Sequence, residues 1–200
     1  MKKAIMVLLT VIVTQQGFSQ GLFKGIVSRL SFGIKAGGNY SNFTNTNFET
    51  KEIAGFHAGF LVNLRLTNHL SIQEDFLFSS QGAKLKDGSF TDKEDLKLSY
   101  VSIPIVLKYR TSIGIYIEAG AQTGMLVSDA KNTGFRDFAN KLDGGAVGGI
   151  GYQLKLGATR SVGIGVRYYQ GFTDVGKFNS SILRSDFRNN VVQASVFYIF

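Results

Sequence analysis

Cysteine is absent and histidine occurs only as His57 and His69. Thiol nucleophiles, thiolate metal sites and disulfides are therefore excluded, and an imidazole base is one of two residues. A lipid-modifying enzyme would need a nucleophile, a base and an orienting carboxylate within hydrogen-bond reach. His57 is the sole credible base, since His69 falls in a short turn, and no serine sits in a recognisable nucleophile motif. The residues read as a non-enzyme, with a small lipid-modifying enzyme as an alternative. The glycine string GGAVGGIG at 144–151 lacks a following helix pattern, which removes a dinucleotide-loop reading. Asp87, Asp92, Glu94 and Asp95 could gather a divalent cation, but Lys86 and Lys93 interleave them as on a solvated loop. No metal or cofactor is expected.

Lys35, Asp75, Glu118 and Arg167 suggest different chemistry, because these two cations and two anions stand in apolar, glycine-rich surroundings. Charges buried in a narrow lumen are tolerable only when paired and hydrogen-bonded. The four are expected to form an ion-pair network that plugs such a lumen. A proton or solute path, and with it a narrow channel, is the functional alternative.

Burying those charges requires elements that turn every second residue inward. From Ser31 to Ser41, Phe32, Ile34, Ala36, Gly38 and Tyr40 share one face and Gly33, Lys35, Gly37 and Asn39 the other. This period of two is the signature of a strand. It recurs at Ile53–Leu66, Leu70–Gln81, Leu96–Tyr109, Ile113–Ser128, Asp143–Leu154, Ser161–Asp174 and Asn190–Phe200. The connections alternate between long polar ones (FTNTNFETKE, KLKDGSFTDKED, GKFNSSILRSDFRN) and short ones. Short periplasmic turns, long extracellular loops and an even strand count describe an outer-membrane barrel. The fold expected is all-β: an eight-stranded antiparallel up-and-down transmembrane β-barrel.

Threading the strands up and down places Phe32, Tyr109, Tyr152, Tyr198 and Phe200 near the periplasmic end. Tyr40, Phe56, Phe78 and Phe172 fall near the outer end, which makes the two aromatic girdles of a membrane barrel. The rival is a secreted soluble barrel of lipocalin type, with an apolar ligand inside and its polar face in water. That polar face carries Gly33, Gly37, Gly55, Gly59, Gly114, Gly120, Gly124, Gly163 and Gly165. Glycine weakens a solvated strand, whereas small residues alternating with large ones fill a narrow lumen. Glu74 fits worst, since alternation puts it on the lipid face; a bulge or shifted register is expected there.

Residues 1–19 read as a secretory signal peptide, with Lys2 and Lys3, an apolar run from Ala4 to Val13, and small Gly17 and Ser19 before the cut. Residues 20–200 form the barrel domain. Losing Lys2 and Lys3 leaves a net charge of +6 against +8 for the whole chain. The expected location is the outer membrane, with lipid and lipopolysaccharide as neighbours and no nucleic acid as partner. Arg65, Lys108, Arg110, Lys155 and Arg160, with Lys24 and Arg29, collect at the periplasmic end without an acidic residue among them. Anionic headgroups of the inner leaflet account for such a rim; a docking surface for a periplasmic or secretion-system protein is the sharper reading.

The segments FGIKAGGNYS, LSIQEDFLFSSQGAK, YVSIPIVLKY, IYIEAGAQTG, RYYQGFTD and the terminal VFYIF together resemble the PorT-like outer-membrane β-barrel family, over essentially the whole exported sequence. In that family a single acidic residue stands where this chain has Glu74 and Asp75, and Asp75 is matched to it. The resemblance implies a barrel, and for the founding member a link to protein export through the type IX route. Tyr198 and Phe200 resemble the terminal signal read by the barrel assembly machinery.

Overall fold

The computed structural model describes residues 25–44, 50–85, 95–128, 140–157, 159–175, 179–180, 183–184 and 187–200. The signal-peptide expectation, Lys24 and the loop acids Asp87, Asp92 and Glu94 lie outside them; Asp95 opens a strand. The chain divides into two units, 1–30 and 31–200. In the first, a helical turn at 25–27 is closed by the Ser28 hydroxyl donating to the Gly25 carbonyl at 3.1 Å. Arg29 belongs to this unit.

Eight long strands form the barrel, all but the first residue of β1 within the second unit: β1 Leu30–Thr44, β2 Ile53–Arg65, β3 Leu70–Leu85, β4 Asp95–Arg110, β5 Ile115–Ser128, β6 Leu142–Lys155, β7 Ser161–Gly171 and β8 Arg188–Ile199. Each pairs antiparallel with its sequence neighbours, and β1 closes the barrel on β8 with Gly33 opposite Ile199. Two-residue strands Thr50–Lys51, pairing with β3, and Asn179–Ser180 with Leu183–Arg184, pairing with each other, lie toward the outer end. The barrel strands run from 11 to 16 residues, so most exceed the ~9–11 needed to cross a bilayer. At the other end the turns are tight. Gly114 takes φ +97° between β4 and β5, a left-handed conformation that favours glycine.

Alternation is visible residue by residue in burial. Ile34, Phe60, Ile105, Ile117, Ile150, Ile164 and Val196 face outward, while Gln73, Asp75, His57, Arg167 and Gln193 are buried inside. An apolar exterior around a polar interior is the reverse of a lipocalin, and the soluble-barrel alternative falls. Phe32, Tyr109, Tyr152 and Phe200 are exposed at the short-turn end, and Tyr40, Phe56, Phe78 and Phe172 at the other.

Two sequence expectations are corrected. Glu74 sits at no bulge: it pairs with Val62 on one side and Ile105 on the other, and although the ladder to β4 skips Asp75 and Phe76, the register is the same before and after them; Glu74 is half-buried on the lipid-facing wall. The irregularity lies instead where Ser99 pairs with Ser128 but Tyr100 with Leu126, leaving Val127 as the extra residue. β7 ends at Gly171 rather than Asp174, because the Phe172 and Thr173 amides both turn to the Gly144 carbonyl.

Candidate functional site

Lys35, Asp75, Glu118 and Arg167 come from β1, β3, β5 and β7, the four strands that run the same way, and all four are buried. The structure brings them into one chain of contacts. Asp75 Oδ2 accepts from Lys35 Nζ at 3.0 Å and from Arg167 Nη1 at 2.8 Å; Arg167 Nε donates to Glu118 Oε1 at 2.7 Å. Gln73 Nε2 donates to Asp75 Oδ1 at 2.7 Å, and Lys108 Nζ donates to Gln73 Oε1 at 3.1 Å. With hydrogen bonds to charged groups along its whole length, this layer occupies the lumen and links opposite walls.

Beside it is a second polar layer that the sequence did not announce. His57 Nδ1 is 2.7 Å from Asn39 Oδ1, and His57 Nε2 is 2.8 Å from Ser195 Oγ. An Oδ1 partner requires the proton on Nδ1, which leaves Nε2 to accept from the Ser195 hydroxyl. Nucleophile, base and orienter take that order in acyl-transfer sites, yet His57 is 1% and Ser195 7% exposed. An apolar cluster of Phe43, Leu98, Tyr100, Val175 and Phe187 fills the outer end, and the ion pairs adjoin from below. Asn39 is further tied to Ser79, Gln193 and two backbone carbonyls. The arrangement therefore works as packing of polar groups in a closed interior. The clue was parity: Asn39, His57 and Ser195 all alternate inward, but their meeting depends on strand stagger. Ser195→Ala is expected to cost about 1–3 kcal/mol, the price of an imidazole nitrogen left without its donor, in urea titrations followed by heat-modifiable gel migration. Cells carrying it should keep unchanged lipopolysaccharide and phospholipid profiles; an altered profile would revive the enzyme reading.

At the short-turn end, Arg65, Arg110, Lys155 and Arg160 ring one cavity of about 80 Å³. Arg65, Arg110 and Lys155 end β2, β4 and β6 in inward parity, so they crown the lumen mouth. Lys108 is corrected from rim to interior. It is 2% exposed and its ammonium lies 3.9 Å from the centre of the Tyr116 ring and 4.4 Å from that of Phe197. One pleat inside Arg110, its stem reaches into the lumen and its charge is held by ring faces and Gln73. Tyr198 and Phe200 stand edge to face, 5.5 Å apart, and the Phe200 amide donates to the Phe32 carbonyl.

No curated protein matches the sequence. Among solved structures, the outer membrane protein OprG from Pseudomonas aeruginosa superposes with a TM-score of 0.52 at 14% identity, covering 84% of this chain and 94% of that one. Neisserial surface protein A superposes with a TM-score of 0.50 at 16% identity, covering 83% and 95%. At such identities the likeness concerns the fold alone. The outer membrane protein beta-barrel domain family matches residues 15–176. A closed eight-stranded barrel with an apolar exterior and this family match together place the protein in the outer membrane, and the chain belongs to the outer membrane protein beta-barrel domain family.

Proposed function

We propose that this protein is a non-enzymatic, non-conducting barrel that serves as a docking element for a periplasmic partner, a secretion-accessory role of the PorT-like kind. The observation that carries the reading is the layer of Lys35, Asp75, Arg167 and Glu118, which fills the lumen with ion pairs spanning its opposite walls. Eight strands give an interior that side chains can fill, and a permeating ion would have to separate charges that hold one another in place. Work is thereby left to the two ends. The outer wall meets lipid and lipopolysaccharide, assembly at the membrane rests on the barrel assembly machinery, and the basic mouth supplies the surface facing the periplasm.

Two measurements test this. Purified barrel in planar bilayers bathed in concentrated KCl should give traces indistinguishable from the bare membrane; reproducible unitary currents would favour the narrow channel. A photo-crosslinking residue at Arg110 or Arg160, irradiated in living cells, should yield a discrete adduct with a periplasmic or secretion-machinery protein. Lipid adducts alone would end the docking reading.

A further inference from the structure

We infer that the periplasmic mouth is a carboxylate receptor, and that it takes the acidic side chains of a peptide segment carried by a periplasmic protein. The inference rests on the docking reading and adds the chemistry of what docks.

Sign is the first argument. The cavity is lined by Arg65, Arg110, Lys155, Arg160 and, at its floor, Lys108, and among the described residues no aspartate or glutamate lines it. Like charges gathered round one small space repel one another, and an anion placed among them relieves that repulsion. The charges are also unspent: among the described residues, the side chains of Arg65, Arg110, Lys155 and Arg160 make no ion pair or hydrogen bond. Further donors are at hand. The Thr67 hydroxyl in the same lining already accepts the His69 and Leu70 amides, so its own proton is free to be donated.

Position is the second argument. Headgroups of the surrounding leaflet lie outside the wall, level with the exposed rings of Phe32, Tyr109, Tyr152 and Phe200. The cations stand inside that wall, with Arg65, Arg110 and Lys155 alternating toward the lumen, so the cavity opens along the barrel axis to the periplasm. Shape is the third. Water needs roughly 10–15 Å³ of such space per molecule, so a cavity of about 80 Å³ admits several waters or one or two carboxylates. Guanidinium groups match the two oxygens of a carboxylate with paired N–H donors, and extended acidic chain is the carrier that can insert such groups without a folded body entering the mouth.

The test uses the full chain refolded in zwitterionic detergent, with a fluorescein-labelled oligoglutamate peptide read by anisotropy. Binding should saturate and weaken as salt rises. Arg65→Gln/Arg110→Gln/Arg160→Gln should weaken it roughly tenfold or more. Removing as many charges from the opposite end, with Lys51→Gln/Lys141→Gln/Arg188→Gln, should leave it unchanged. Arg160→Gln alone, in a turn outside the strand ladder, should give a smaller loss in the same direction and serves if the triple variant fails to fold. Equal losses in the two triple variants would reduce the effect to net charge and overturn the inference. So would displacement of the peptide by anionic-lipid vesicles or by inorganic phosphate at lower concentration than by unlabelled peptide, which would assign the mouth to headgroups or to free phosphate. Crosslinks to a periplasmic protein without oligoglutamate binding would sink the carboxylate chemistry and leave the docking reading standing; binding without crosslinks would do the opposite.

Discussion

Asp75→Ala is expected to destabilise the folded barrel by about 3–5 kcal/mol, because it leaves buried cations without their anion. Asp75 accepts from Lys35, Arg167 and Gln73 at once. Removing its carboxylate strands Lys35 altogether, leaves Arg167 with Glu118 alone, and frees the amide that tethers Lys108. The two cations that Asp75 held apart from mutual repulsion are then 6% and 2% exposed with nothing between them. Urea titration in lipid vesicles, with folded and unfolded barrel separated by gel migration, reads the shift in midpoint. A companion variant makes the cause visible. Replacing Lys35, Asp75, Glu118 and Arg167 together with apolar residues of similar volume should cost much less than Asp75→Ala alone, since no ion is left uncompensated. A loss below about 1 kcal/mol for Asp75→Ala, the range of exposed pairs, would mean that water reaches these charges. That result would remove the seal and with it the main support for a non-conducting barrel.

The same layer shows how far alternation alone can be carried. Period two assigns Lys35, Asp75, Glu118 and Arg167 to the inner face, and each lies a few residues above the short-turn end of a strand running in the same direction. Their contact therefore needed only a closed barrel and roughly equal heights. The histidine layer needed more. Asn39 on β1, His57 on β2 and Ser195 on β8 meet only at one particular stagger of three neighbouring strands, and stagger is a property of closure that local pattern does not encode. Lys108 failed for a related reason. Its charge suggested a rim, but a long stem can carry an ammonium inward to aromatic faces as readily as outward to water, and of those rings Tyr116 is on the next strand while Phe197, on β8, is remote in sequence. Glu74 is the opposite lesson: alternation puts it on the lipid side, and the unshifted register with Val62 and Ile105 leaves it there without a bulge. Strand ends were hardest, since β7 stops where amides find the Gly144 carbonyl rather than where polarity changes.

Phe197→Ala and Gly163→Val should each destabilise the barrel, and together they should cost less than the sum of their separate effects. Gly163 pairs directly with Phe197 across β7 and β8, and a methyl group added at Gly163 would fall on the Phe197 ring. The glycine is thus the notch in which the ring lies. Filling it with valine drives the ring off its site, an overpacking change worth about 1–3 kcal/mol. Removing the ring, which is buried with Leu61, Tyr116 and Ile199, should cost about 3–5 kcal/mol through lost burial and the cavity left behind. In the double variant the valine occupies part of that cavity, so the two changes should couple favourably by about 1–3 kcal/mol. Lys108 provides a second readout. Its ammonium rests between Tyr116 and Phe197 and its side chain is buried, so either single variant should raise its reactivity toward an amine-modifying reagent under native conditions, while Lys155, exposed at the mouth, should label at the same rate throughout. Strictly additive energies with Lys108 still protected would show that Gly163 and Phe197 do not compete for one space, and that the lysine is shielded by some other part of the wall.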